Sequence, residues 1–177
     1  MKKILLCASF FIGFTSFAQE TTSQLSLNFL IPSVEYETAI SKNSTIDLNV
    51  GFGFAYHDSS FLDEAEYGIY PGFEAQYRHY YNLKKRLEKG KKISENSGNY
   101  IALSASASSG DPIIGDMRLN NDYSGFVGPV WGFQRVYKSN FKLNLNLGLG
   151  MGFSDRQDPY LAANIGLQLG FKLGKEK

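Results

Sequence analysis

From residue 141 to 153 every odd position is large and apolar: Phe141, Leu143, Leu145, Leu147, Leu149, Met151 and Phe153. The even positions are Lys142, Asn144, Asn146, Gly148, Gly150 and Gly152. A period of two places successive side chains on opposite faces of an extended strand, so this run predicts one strand with an apolar and a polar face. The pattern returns from 160 to 173. Leu161, Ala163, Ile165, Leu167, Leu169, Phe171 and Leu173 lie on one face, opposite Tyr160, Ala162, Asn164, Gly166, Gln168, Gly170 and Lys172. Both runs span about 13 residues, longer than strands of soluble proteins and sufficient to cross a bilayer at the usual tilt.

Four further segments follow the same template. Ile46, Leu48, Val50, Phe52, Phe54 and Tyr56 alternate with Asp47, Asn49 and small residues; Phe73, Ala75, Tyr77, His79 and Tyr81 alternate with Glu74, Gln76, Arg78 and Tyr80. Ile101, Leu103, Ala105 and Ala107 alternate with Ala102 and serines. Val127, Pro129, Trp131, Phe133 and Tyr137 form a sixth apolar face, interrupted by Arg135 and by a proline that cannot donate to a ladder. Near the start, Leu25, Leu27, Phe29 and Ile31 occupy odd positions, but after Pro32 the apolar residues move to even ones, Val34, Tyr36 and Ile40. That flip predicts two strands joined tightly at Ile31-Pro32-Ser33, making eight in all.

Composition agrees with a β-rich chain. Aromatic residues make up 15% and charged residues only 20%, with 18 glycines, which excludes a disordered chain or a Lys/Glu-rich helical bundle. The length of 177 residues suits one domain. Lys2 and Lys3, an apolar stretch over 4–17 and the ending Ser16-Phe17-Ala18 read as a secretory signal peptide cleaved after Ala18. Residues 19–177 then form the mature domain. It has no cysteine, because Cys7 is the only one in the chain. No later segment approaches the roughly 18 continuous apolar residues of a membrane helix. The chain is nearly neutral, with a formal charge of +1, giving no sign of a nucleic-acid partner.

The expected fold is therefore all-β: an eight-stranded antiparallel up-and-down transmembrane β-barrel with both termini in the periplasm. The polar faces point inward. A soluble lipocalin-like barrel binding a hydrophobic ligand is the alternative, but it requires the apolar faces inside. The many glycines on the polar faces favour the membrane reading, since inside a narrow barrel they make room for Arg, Glu and Tyr. Short turns at 41–44 and 138–140 fall on the periplasmic side, with a long connection over 82–97 that accommodates a short helix stopped by Gly90. Lys84, Lys85, Arg86, Lys89, Lys91 and Lys92 make that connection strongly basic. The opposite loops, 57–67, 110–122 and 154–159, carry nine acidic residues against only Arg118 and Arg156.

Tyr77-Arg78-His79-Tyr80-Tyr81-Asn82, the basic turn with Gly90-Lys91, and Ser97-Gly98-Asn99-Tyr100 resemble a small uncharacterised outer-membrane β-barrel family of Gram-negative bacteria. Its members are similar in architecture to the OmpA and OmpX type of barrel. Asn164, Gly166, Leu169 and Phe171 resemble the signal by which the barrel assembly machinery recognises a final strand, although this chain runs on through Lys177. The resemblance implies an outer-membrane location, with lipids of that membrane and the assembly machinery as partners.

Candidate chemistry lies on the inward faces. Glu35, Glu37, Asp47 and Glu74 oppose Arg78 and Lys142. A barrel of eight strands is just wide enough for side chains to fill, so these charges are expected to pair in a structural polar core, with Arg78 as the clamp for Glu74, Glu35 or Glu37. For an outer-membrane hydrolase or acyltransferase, His57-Asp58-Ser59-Ser60 has the residue types, but neighbours in sequence do not converge into a triad. His79, with Tyr77, Tyr80 and Tyr81, reads as part of an interfacial aromatic girdle. The acidic loop from 58 to 66 has no defined calcium-loop spacing, and no phosphate loop, zinc-ligand pair or nucleotide fingerprint occurs. No catalytic, cofactor or metal site is expected. The basic connection has anionic headgroups or a periplasmic protein as its natural partners. The expected role is structural, adhesive or interactive, through the loops.

Overall fold

The computed structural model of the protein describes residues 21–57 and 66–174. The leader expected over 1–18 and most of the acidic connection after His57 lie outside the described residues. The strands are β1 Gln24–Asn28, β2 Ser33–Ala39, β3 Ser44–His57, β4 Glu66–Tyr80, β5 Asn99–Ser109, β6 Ile114–Gly115, β7 Tyr123–Val136, β8 Phe141–Ser154 and β9 Tyr160–Leu173. A short helix, α1 Leu83–Glu88, stands between β4 and β5. All nine strands belong to one antiparallel sheet. β1, β2, β3, β4, β5, β7, β8 and β9 pair in that order, and β9 returns to pair with β1, so the hydrogen bonding runs round a ring. β6 is the ninth strand, unforeseen because two residues carry no period; it bonds to the edge of β4.

The flip around Pro32 resolves as two strands. Leu25 pairs with Tyr36 and Leu27 with Val34, and all four point outward. The connection covers residues 29–32, a longer turn than Ile31-Pro32-Ser33, because Ser33 already belongs to β2. β4 starts at Glu66, well before the expected Phe73. Gly68, Pro71 and Gly72 obscure its period, and Tyr70 is buried, donating to the Met117 carbonyl at 2.5 Å. β5 accompanies β4 only as far as the Gly72–Ser108 pair; the next β4 residue, Pro71, has no N–H, and β6 takes over at Ile69 and Gly68. The ladder between β7 and β8 likewise skips Gly128 and Pro129 without changing register.

Side chains are distributed inversely to a soluble globule. Outward positions on the ring strands are exposed and apolar, reaching 81% exposure at Leu161 and 75% at Ile165, whereas Arg78, Lys142, Glu35, Glu37 and Asp47 are buried inside. Apolar burial is slight: among the described residues a small cluster of Tyr80, Leu83, Tyr100, Ala102, Phe126 and Val130, with Tyr70 and Val136 apart from it. Tyr80 is therefore interior and not part of an outer girdle; its even position had already marked the inward face. Inward glycines do not make room for Arg or Glu. A Cβ at Gly132 would sit 2.4 Å from the Tyr100 ring, and one at Gly128 would sit 2.6 Å from the Gly150 Cα, so they admit an aromatic ring and a close backbone approach.

The first hairpin is short. β1 has 5 residues and β2 has 7, whereas the other ring strands have 11 to 15. The last bonds along it are Phe29 N–H to the Leu169 carbonyl and Phe52 N–H to the Pro32 carbonyl. Beyond them, no strand among the described residues stands between β9 and β3, which leaves a notch in the wall. Strand alternation puts this notch toward the end that carries the connections after β1, β3, β5 and β8, here the acidic end. The basic end carries the connections after β2, β4 and β7.

Candidate functional site

Inward parity brings Glu35 and Glu37 from β2, Asp47 from β3, Arg78 from β4 and Lys142 from β8 together in the lower half of the ring. Arg78 is the hub. Its Nε donates to Gln76 Oε1 at 2.7 Å and its Nη1 to Gln134 Oε1 at 3.3 Å and Glu35 Oε1 at 3.4 Å. Nη2 lies 3.0 Å from Asp47 Oδ1, an ion pair without hydrogen-bond alignment, and the guanidinium sits 4.9 Å from the Tyr100 ring centre. Lys142 Nζ donates to Glu35. Glu37 accepts from Gln24 Nε2 at 2.6 Å, Thr45 Oγ1 and the Tyr80 hydroxyl at 2.7 Å, and Gln134 Nε2 at 3.0 Å. Two cations thus bind three buried carboxylates, with neutral donors completing the shell. Glu74 stands apart, accepting from Gln76 Nε2 and Ser104 Oγ at 2.8 Å.

A loop closes the basic end below this cluster. Glu95, Asn96, Ser97 and Gly98 are buried, and both Glu95 and Asn96 have left-handed backbone, at φ 51° and 56°. Asn96 holds the N-terminal segment as a neighbouring strand would: its Nδ2 donates to the Thr22 carbonyl, and its Oδ1 accepts from Thr22 N–H, both at 2.8 Å. Ser97 Oγ accepts from Val136 N–H at 3.0 Å. Glu95 pairs with Lys92 Nζ at 2.9 Å and Lys172 Nζ at 3.8 Å. Burial raises its carboxyl, but hydrogen bonds from Lys92 and Ser94 and the charges of Lys92 and Lys172 outweigh that and hold it below the ordinary glutamate value.

Above the cluster the interior opens into a cup. A cavity of about 450 Å³ is lined from inside by Asn49, Glu74, Ser106 and Gln168, and at the notch by Phe52 and Ile165. Residues 162–168 of β9 line it consecutively, so it reaches round the free edge of that strand to the apolar outer face. The arrangement is a blind cup of mixed polar and apolar lining with a side opening.

The remaining predicted residues are scattered. On β9, Asn164 and Gly166 line the cup, Leu169 is half-buried, and the exposed Phe171 packs against Phe29 and Phe141, with ring centres 5.8 Å apart in each case. Lys84 is exposed on α1; Lys85, Arg86, Lys89 and Lys91 face a recess against the outer wall; Lys92 turns to Glu95. Residues 58–60 of the His57 segment lie outside the described residues. A different His–Ser contact exists: Ser44 Oγ is hydrogen-bonded to His79 Nδ1 at 3.1 Å across the β3–β4 ladder. Ser44 is only 4% exposed, and no carboxylate among the described residues bonds His79, so the pair has neither an accessible nucleophile nor an orienting acid. Among the described residues no group of three or more His, Cys, Asp or Glu side chains is arranged for a metal ion.

Inward parity placed Gln76 and Gln134 between the charges, and both bond Arg78; Tyr100, whose ring lies beside the same guanidinium, has that parity too and was missed. Asn96 carried no such signal. Compared with models of protein families, with curated proteins and with solved structures, the chain matches none.

Proposed function

We propose that the protein is a small integral outer-membrane β-barrel, exported by residues 1–18, whose closed interior does not conduct and whose role is structural, adhesive or interactive at its rims. The observation that carries this reading is the inversion of the side chains: a hydrogen-bonded charged centre inside a ring whose outer wall is apolar on every long strand. In water such a wall exposes apolar area far beyond what soluble monomers tolerate, whereas in a bilayer it meets its own kind. Six ring strands of 11 to 15 residues meet the length needed to span, and closed pairing supplies the backbone with internal partners.

Aromatic residues at both rims support the same reading: Tyr81, Trp131, Tyr137, Phe141 and Phe171 at the basic end, and Tyr67 and Tyr123 at the acidic end. In this orientation the acidic end faces outward, the basic end faces the periplasm, and Asn164, Gly166, Leu169 and Phe171 present the final strand to the assembly machinery. The lipocalin-like reading demands an apolar interior and so conflicts with Arg78 and Lys142; the lipid-modifying reading has only the buried Ser44 beside His79. Salt-washed membranes provide the test. The chain is expected to fractionate with the outer membrane and to migrate differently in a detergent gel before and after boiling. Recovery in the soluble periplasm overturns the proposal.

A further inference from the structure

We propose that the recess between α1 and the outer wall at β7 is a binding site for the phosphate of an anionic phospholipid headgroup. The proposal rests on the membrane reading above. The recess has a volume of about 430 Å³ and is lined by Lys85, Arg86, Lys89 and Lys91 from α1 and its exit, by Arg135 from β7 and by Asn99, with Tyr81 at its mouth. Five cations converge, and no carboxylate lines the space. Lys85, Lys89 and Lys91 make no ion pair with any described residue. This is more than a solvated basic turn, because Arg135 comes from a strand more than forty residues further along the chain.

Both guanidinium groups are positioned without acids. Arg135 donates to the Gly98 carbonyl at 2.7 Å, the Gln134 carbonyl at 2.6 Å and Asn99 Oδ1 at 2.7 Å, and its guanidinium lies 5.3 Å from the Phe133 ring centre. Arg86 Nη2 donates to the Lys92 carbonyl at 2.9 Å, while its Nε is buried with no partner. Burial alone pulls the Arg86 guanidinium below its ordinary value, as expected of a cation set into a recess without a counter-charge. A buried donor left unmade is costly, and planar guanidinium groups match the oxygens of a phosphate. Depth selects the source of that phosphate. Beside the recess Trp131 Nε1 donates to the Tyr81 hydroxyl at 2.9 Å, an exposed aromatic pair of the kind found at headgroup level.

Trp131 is the only tryptophan and adjoins the recess, so it reports binding directly. The mature chain in maltoside micelles is titrated with short-chain phosphatidylglycerol, with the zwitterionic phosphatidylcholine analogue and with inorganic phosphate. A saturable change in Trp131 emission is expected for phosphatidylglycerol alone. Arg135→Gln and Arg86→Gln are each expected to weaken it about tenfold or more, the usual consequence of losing a charge-assisted hydrogen bond, while Lys84→Gln, outside the recess, changes it little. Equal weakening by all three variants, or no saturable response, overturns the site in favour of diffuse charge. Saturation by inorganic phosphate at similar affinity overturns the lipid assignment. Heat-modifiable mobility is read on every sample: its absence from the unaltered protein overturns the membrane reading and this proposal together, whereas its retention without a lipid response overturns the recess alone.

Discussion

Arg78 is the residue on which the interior depends most. It contacts Asp47, Glu35, Gln76, Gln134 and the Tyr100 ring, and among the described residues it is the one cation within ion-pair distance of Asp47. Arg78→Leu strands these carboxylates in a buried setting, and breaking such a pair costs about 3 to 5 kcal/mol. Leu147→Ala trims only an outward contact and is expected to lower the detergent unfolding midpoint far less; equal tolerance of the two changes would show that water fills the interior. Glu95 gives a second prediction, in pH. Its folded carboxyl titrates below the ordinary value of 4.5, so it stabilises the fold above about that pH and ceases to as the pH falls through the folded value. The unaltered chain should lose stability relative to Glu95→Gln on acidification below about pH 4.5, the two curves converging at the acid limit. Parallel curves exclude the linkage. At this scale parity in the sequence told which side chains face inward and named Glu35 and Glu37 among the partners of Arg78, but not Asp47; Glu74 shares a strand with Arg78 yet bonds Gln76 and Ser104, because ring geometry brings Glu35 and Asp47 closer.

Among the elements, β8 and β9 were legible without error because both their faces are chemically distinct over the full length, and the flip at Pro32 separated β1 from β2. The start of β4 was not, since Gly68, Pro71 and Gly72 remove the contrast that a period needs. Nor was the closing loop, because buried polar residues such as Asn96 and Ser97 look in sequence like any solvated turn. The brevity of the first hairpin was visible as two short runs, but its consequence, the notch, appears only when β9 and β3 stand on either side of it. Phe29 bonds Leu169, so alternation turns the N–H groups of Leu161, Ala163, Ile165 and Leu167 to the notch and those of Ala162, Asn164, Gly166 and Gln168 to β8. Unpaired backbone in hydrocarbon is costly, and the cup behind the notch, with Asn49, Glu74 and Gln168 on its inner lining, offers water to it. Hydrogen exchange in detergent should therefore run faster at the four odd-numbered amides than at their even neighbours. Uniform protection along β9 would mean that the wall is closed there.

At the scale of the whole molecule, the ring of strands has unlike ends. Asp111, Asp116, Asp122, Asp155 and Asp158 lie on the connections at one end, whereas α1 and its exit gather lysines at the other. Tyr80, Tyr100, Leu83 and the loop through Asn96 fill the section beneath the charged cluster, so an ion entering the cup meets a bonded network and then a floor of packed side chains and a buried, hydrogen-bonded loop. No stable single-channel current is expected from the purified protein in a planar bilayer; stable unitary currents would contradict the blocked interior. The polarity of the ends also makes orientation testable. Cys7 is the only cysteine and lies in the expected leader, so a cysteine placed in the mature chain is the sole thiol. Arg118→Cys and Lys89→Cys put it at opposite, exposed ends without touching the ring. On intact cells an impermeant maleimide should label position 118 and leave 89 unlabelled until the outer membrane is opened, because the proposed orientation puts the basic recess on the periplasmic side. The reverse pattern would place the lysine-rich end outside and remove the inner-leaflet headgroup from reach of Arg86 and Arg135.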